Sequence, residues 1–411
     1  MTFSTRQWCG RGEVLDHSVV GSIFGHPELA CCACGRRAAP RAAREATDIV
    51  LFATHAVDTT DAGIWAHFSK DMATNLPTAS PWLLYFHDMF WEAGALSLER
   101  YASSLARTVA EQRKWQQTHK MGVCIWSPLD VARLFPSLVA TVRAGGGGIS
   151  QEPAVHEQRY YWFHSSLAVW EAVYAHAFPS ARYFWRIEPD VLLTSMAGAP
   201  LSPLIGVAGS STADVLLPRL TSQANDRWYP HFYRMGERLG GIALERRMWG
   251  LVSIGRYSVA YLRTLRDDYW SKGVVGYEEV TLPTWCLKDD TCQLAEFNQL
   301  KNGLQDHVVW HPGFNWDCAM IVDSARRGTN ELWHPVKQRG CYLEYLDAFE
   351  AGRADDLAPW VPTHCAGWCH WSDENCVLEP KKGHCVDCER CLQIAANATR
   401  ARHEAAGERP H

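Results

Sequence analysis

Residues 48 to 54 read Asp48-Ile49-Val50-Leu51-Phe52-Ala53-Thr54, apolar at every inner position, before the run stops at the polar pair Thr54-His55. A strand covered on both faces carries this pattern, whereas a half-exposed strand alternates, so the run predicts the first strand of a parallel sheet. Pro81-Trp82-Leu83-Leu84-Tyr85-Phe86 repeats the form and ends on His87-Asp88. Leu96 to Lys120 then changes to helical spacing, and Val123-Cys124-Ile125-Trp126 is a short strand before the turn Ser127-Pro128-Leu129-Asp130. His164 to Phe178 again spaces its apolar residues as a helix, with Ser165 or Ser166 as N-cap. A Pro-Ser turn follows, and then the aromatic run Tyr183-Phe184-Trp185-Arg186-Ile187-Glu188-Pro189-Asp190-Val191-Leu192-Leu193, expected as a buried strand. Ala213 to Pro218 is a further strand, and Met248 to Ser258 a strand leading into a helix that continues to Leu265. Alternating helices and buried strands predict an α/β fold whose ligands bind beyond the carboxyl ends of the strands.

The chemistry concentrates at Glu188 and Asp190. Their i, i+2 spacing lets both point one way where the strand leaves the sheet, and Pro189 restricts the backbone between them. Hard divalent cations such as Mn²⁺ or Mg²⁺ take oxygen ligands and leave positions for water and substrate phosphates. The other reading of the same residues is structural: Glu188 pairs with Arg186 or another cation, and Asp190 caps the next turn.

On these residues the chain resembles glycosyltransferases of the GT-A fold, in which a D-x-D-type motif ends a strand in this way. Trp185-Arg186-Ile187-Glu188-Pro189 is also similar to the W-R-x-E-P segment of fungal α-mannosyltransferases and to fungal and algal glycosyltransferase-like proteins, and the similarity extends over about residues 46 to 345. The resemblance implies a Rossmann-like, mixed and mostly parallel sheet flanked by helices. It also implies transfer of a hexosyl group from a nucleotide-sugar to a glycan or glycoprotein hydroxyl, with Mn²⁺ or Mg²⁺ as cofactor. Residue by residue, it makes Glu188 and Asp190 metal ligands and His334, in Glu331-Leu332-Trp333-His334-Pro335-Val336-Lys337, a third. Lys337 would hold the diphosphate. Thr54, His55 and Asp88, at strand ends, would contact the nucleotide, Asp88 through ribose hydroxyls or, alternatively, as a helix N-cap. Trp249 would stack on an acceptor sugar or else be buried. In Gly276-Tyr277-Glu278-Glu279-Val280-Thr281-Leu282-Pro283-Thr284 the acids open a helix, and Glu279, with Glu278 as substitute, would be the base of an inverting transfer. A retaining transfer would not need that base, and acids at a helix start also complement its dipole.

Composition narrows the alternatives. With 411 residues and 47% hydrophobic content the chain can bury a large core, and its net charge of −5 gives no basic field for nucleic acid. The run Gly145 to Gly148 lacks the Lys-Ser/Thr of a phosphate loop and is expected as a surface loop. Nineteen tryptophans serve core packing or a carbohydrate groove. No run of ~18 apolar residues encodes a membrane span, and the first residues lack an apolar signal core. Of fifteen cysteines, Cys9, Cys31, Cys32 and Cys34 lie near one end and Cys365, Cys369, Cys376, Cys385, Cys388 and Cys391 near the other. Together with the acceptor site Asn397-Ala398-Thr399 they point to disulfides formed in the secretory lumen, in the Golgi by the resemblance, with a signal or anchor upstream of Met1. Zinc is the competing use of the tail, with His370 and His384 as further ligands. The expected organisation is a cysteine-containing extension over 1–45, a GT-A-like catalytic domain over 46–345 and a cysteine-rich module over 346–411. A non-catalytic carbohydrate-binding protein on the same fold, and a zinc-binding interaction protein, are the two rival functions.

Overall fold

All seven residues of Asp48–Thr54 (β1) are buried. This is the consequence of a strand with neighbours on both edges and helices over both faces. In this computed structural model the described residues are 45–54, 59–86, 121–126, 131, 134–143, 166–175, 178–194, 201–222, 242–274, 276–300, 308–310, 321–322, 331–336 and 339–353, with the backbone of 9–10 and 13–14, which form a two-strand ladder. Two compact units divide the chain at places other than the three expected blocks: one comprises 1–189 and 201–306, the other 190–200 and 307–411.

In the first unit β1 is joined by Ala79–Phe86 (β2), Gly122–Trp126 (β3), Tyr183–Ile187 (β4), Val215–Leu217 (β6), Ile254–Ser258 (β9) and Leu294–Glu296 (β10); Leu192–Thr194 (β5) belongs to the other unit. The seven strands lie in the order β10-β6-β9-β4-β1-β2-β3. β3, β2, β1 and β4 are mutually parallel, β9 runs antiparallel to both β4 and β6, and β10 is parallel to β6. The sheet is therefore mixed and mostly parallel, as an α/β fold requires. Strand order reverses between β1 and β4, the kind of switch point beside which open α/β sheets bind ligands.

Register shows how the helices are shared between the faces. Phe52 pairs with Leu83 and Ile187, and its ring stacks on Trp65 and Phe68 of helix Thr59–Asn75 (α1) at 5.7 and 6.1 Å. Residues one step along a strand point to the opposite face. Ile49 and Leu51 are on that face with their partners Phe184 and Trp82, and both of those rings meet Trp170 of helix Ser166–Val173 (α3), at 5.8 and 6.4 Å. Helix Pro136–Arg143 (α2) lies between α1 and α3 in sequence. At Gly122 the Trp82 ring occupies the place a Cβ would take, 2.1 Å away, so glycine alone fits the start of β3.

Two expected elements divide. The run 183–193 is not one strand: β4 ends at Ile187 and β5 begins at Leu192, because Pro189 has no N–H to continue the ladder. Met248–Ser258 likewise gives two strands. Met248–Gly250 (β8) pairs with Leu220–Ser222 (β7) outside the main sheet, whereas β9 enters it. Helix Val259–Thr264 (α5) follows, capped by the Ser258 hydroxyl accepting from the Tyr261 N–H, and widens into a π-turn over Leu265–Tyr269. Helix Leu201–Ala208 (α4) precedes β6, and Glu278–Lys288 (α6) opens at the expected acid pair. The Thr284 hydroxyl pins α6 to β8 by bonding both the N–H and the carbonyl of Met248, at 3.0 and 2.9 Å.

In the second unit β5 pairs antiparallel with Glu331–His334 (β12), which pairs parallel with Val308–Trp310 (β11). The Tyr342 hydroxyl of helix Gly340–Glu350 (α7) donates to the Leu193 carbonyl. Among the described residues no helix is long and apolar enough to cross a membrane.

Candidate metal centre

β4 delivers the two acids. Its last ladder bond comes beyond Ile187, where the Glu188 N–H donates to the Ser253 carbonyl at 2.8 Å. Pro189 then turns the chain, and the Asp190 carbonyl accepts from the Val336 N–H at 2.9 Å. That bond, with the pairing of Leu192 and Trp333, sets Asp190 beside the end of β12. His334 Nε2 consequently lies 3.4 Å from Asp190 Oδ1. Glu188, Asp190 and His334 each offer one ligand atom, and these atoms lie within 4.8 Å of one another. The side chains are 22%, 11% and 16% exposed respectively, reachable by an ion yet largely screened from water. Two carboxylate oxygens and one imidazole nitrogen suit a borderline-hard divalent ion that keeps other positions for water or phosphate oxygen.

The structural alternative for Glu188 holds at the same time. Arg186, fully buried in β4, donates from Nη2 to Glu188 Oε1 at 3.4 Å and to the Val252 carbonyl at 3.2 Å. Its Nη1 donates to Glu278 Oε1. Burial alone would lower the Arg186 pKa, but Glu278, Tyr257 and Glu188 outweigh it and hold the guanidinium charged, above its ordinary value. Burial pushes the Glu278 carboxyl up to about 7, against the opposing pull of Arg186. The Tyr257 hydroxyl, also buried, is pushed far above its ordinary value by burial.

This pairing corrects one expectation. Glu278 is 2% exposed and bonded to Arg186, so it is not placed to take a proton from a substrate. Glu279, next along the same helical turn, is partly exposed. Trp249 is a second correction. At 1% exposure, with the Arg219 guanidinium 5.7 Å from its ring centroid, it is core and offers no face to a sugar. Thr54 closes β1 as expected but is 1% exposed. His55, Asp88, Lys337, the glycine run 145–148, the 96–120 segment and the glycosylation acceptor lie outside the described residues, as do the tail cysteines.

Sequence reasoning named Arg186 only as a possible partner, although a lone guanidinium inside Tyr-Phe-Trp-Arg-Ile was a signal: such a charge in a buried strand requires a carboxylate nearby. It also missed the disulfide Cys286–Cys292, which ties the last turn of α6 to the segment before β10. Cys341 is disulfide-bonded as well, and Cys124 is buried in β3. No protein-family model matches the chain, and no curated protein matches it at a significant level.

Proposed function

We propose that the protein is a metal-dependent glycosyltransferase with a GT-A-like catalytic fold. It would move a hexosyl group from a nucleotide-sugar to a hydroxyl of a glycan or glycoprotein. The observation that carries the reading is the grouping of the ligand atoms of Glu188, Asp190 and His334 within 4.8 Å of one another, with Glu188 directly after the parallel strand β4. An Mn²⁺ or Mg²⁺ ion held there supplies charge neutralisation to the diphosphate as it leaves. Glu188 and Asp190 hold that ion through oxygen and His334 through nitrogen. Glu279, in the first turn of α6 and partly exposed, takes the proton of the attacking hydroxyl in an inverting transfer. The disulfide Cys286–Cys292 supports synthesis in an oxidising compartment, which fits the secretory lumen and the Golgi.

The test is a screen of nucleotide-sugars for Mn²⁺-dependent release of free nucleotide, with and without glycan acceptors. One donor is expected to be turned over, Asp190→Ala to abolish release, and Glu279→Gln to slow acceptor-dependent transfer by about 10² to 10⁴-fold. Release by Asp190→Ala equal to the parent's would remove the metal from the mechanism. Binding of Mn²⁺ and a nucleotide-sugar without turnover, on any acceptor, would instead favour a carbohydrate-binding protein.

A further inference from the structure

Arg186 presents a problem for the centre proposed above, on which the following rests. It is a permanent cation with no exposure, and it bonds the Glu188 carboxylate that is to bind a second cation. Left uncompensated, a guanidinium at that place competes with a metal ion for the same oxygen and repels it. The first turn of α6 answers this by bringing Glu278, itself 2% exposed, onto the Nη1 edge of Arg186, away from the Nη2 edge that reaches Glu188. The fork geometry of the guanidinium allows both contacts at once. The register of β4 is what makes this possible. Arg186 and Phe184 share the face on which β9 places Tyr257, opposite Phe184, and α6 is tied to the helix after β9 through the Tyr261 hydroxyl and the Leu282 carbonyl.

We infer that Glu278 offsets the Arg186 charge at the metal ligand Glu188: Arg186 bonds the carboxylate, and Glu278 supplies the counter-charge that leaves Glu188 free to bind a divalent cation. Both side chains are buried. Glu278 thereby gains a function different from that of its neighbour Glu279, and the pair makes metal affinity depend on α6.

The experiment is a titration of the full chain with Mn²⁺ at pH 8 after removal of metal with EDTA, with free Mn²⁺ read from its electron paramagnetic resonance signal. The parent is expected to show one site that Asp190→Ala eliminates. Glu278→Gln, which strands the Arg186 charge on Glu188, is expected to weaken that site about tenfold. Glu278→Asp, which keeps the charge, and the double variant Arg186→Gln/Glu278→Gln, which removes both charges, are each expected to stay within about threefold of the parent. A purely structural pair would lower the melting temperature of Glu278→Gln without changing Mn²⁺ affinity, and that result overturns the inference while leaving the metal reading intact. Should Glu278→Gln fail to fold, the double variant still decides, because loss of more than about tenfold in its affinity contradicts charge compensation. A parent without an Asp190-dependent site overturns the metal reading itself and the inference with it.

Discussion

Glu278 and Glu279 are adjacent, but successive residues on a helix point about 100° apart, so one carboxylate is sealed against Arg186 while the other is partly exposed. The acid pair was legible in the sequence; which member was buried was not, because nothing local marks the strand residue 92 positions away that Glu278 bonds. The same limit applies to His334, whose link to Asp190 follows from strand pairing across 144 residues and was reached only through resemblance to a family. Glu188 and Asp190 were legible because the acids directly follow an apolar strand and flank a proline. For Trp249, sequence left a sugar platform and the core equally open, and its large apolar area decided for the core. A pH dependence belongs to this scale. The Glu278 pKa rises from its ordinary 4.5 to about 7 in the fold, so between those values the folded chain binds more proton than the unfolded one. Its contribution is therefore fully present below 4.5 and is lost as pH rises through about 7. Urea unfolding at pH 5 and pH 8 is expected to show a fall in stability that Glu278→Gln reduces by on the order of 3 kcal/mol. Equal falls in parent and variant would show that Glu278 titrates as an exposed acid does.

Elements with uninterrupted apolar runs were read correctly from their pattern. β1 and β4 lie side by side in the sheet's interior, and a strand there has no polar face to interrupt its sequence. Misreadings arose where one apolar run serves two strands, at Pro189 and between Gly250 and Ile254, since hydrophobicity does not report a change of partner. The α3 packing rests on Trp170, fully buried, with its ring centroid 5.3 to 6.4 Å from those of Tyr174, Phe178, Phe184 and Trp82. Trp170→Ala is expected to lower the unfolding free energy by about 3 to 5 kcal/mol, measured by urea titration. A loss below about 1 kcal/mol would mean that this face of the sheet is not packed as described.

For the whole molecule, the mixed, mostly parallel α/β sheet was legible in the alternation of apolar runs, while the chain's division was not apparent. The polypeptide passes from the first compact unit to the second at Pro189–Asp190, returns at Leu201 and passes over again after Asp306. The cysteines behave alike: clustering singles out the two ends of the chain, yet Cys286–Cys292 lies within the first unit, at a sequence separation of six that no motif marks. The proposed metal centre requires Glu188, Asp190 and His334 to hold one divalent ion. Pulsed electron paramagnetic resonance of the Mn²⁺-loaded protein tests this most directly. The expected result is a hyperfine coupling from one imidazole nitrogen that disappears in His334→Gln. A bound Mn²⁺ with no nitrogen coupling, or with one that survives this substitution, would contradict it.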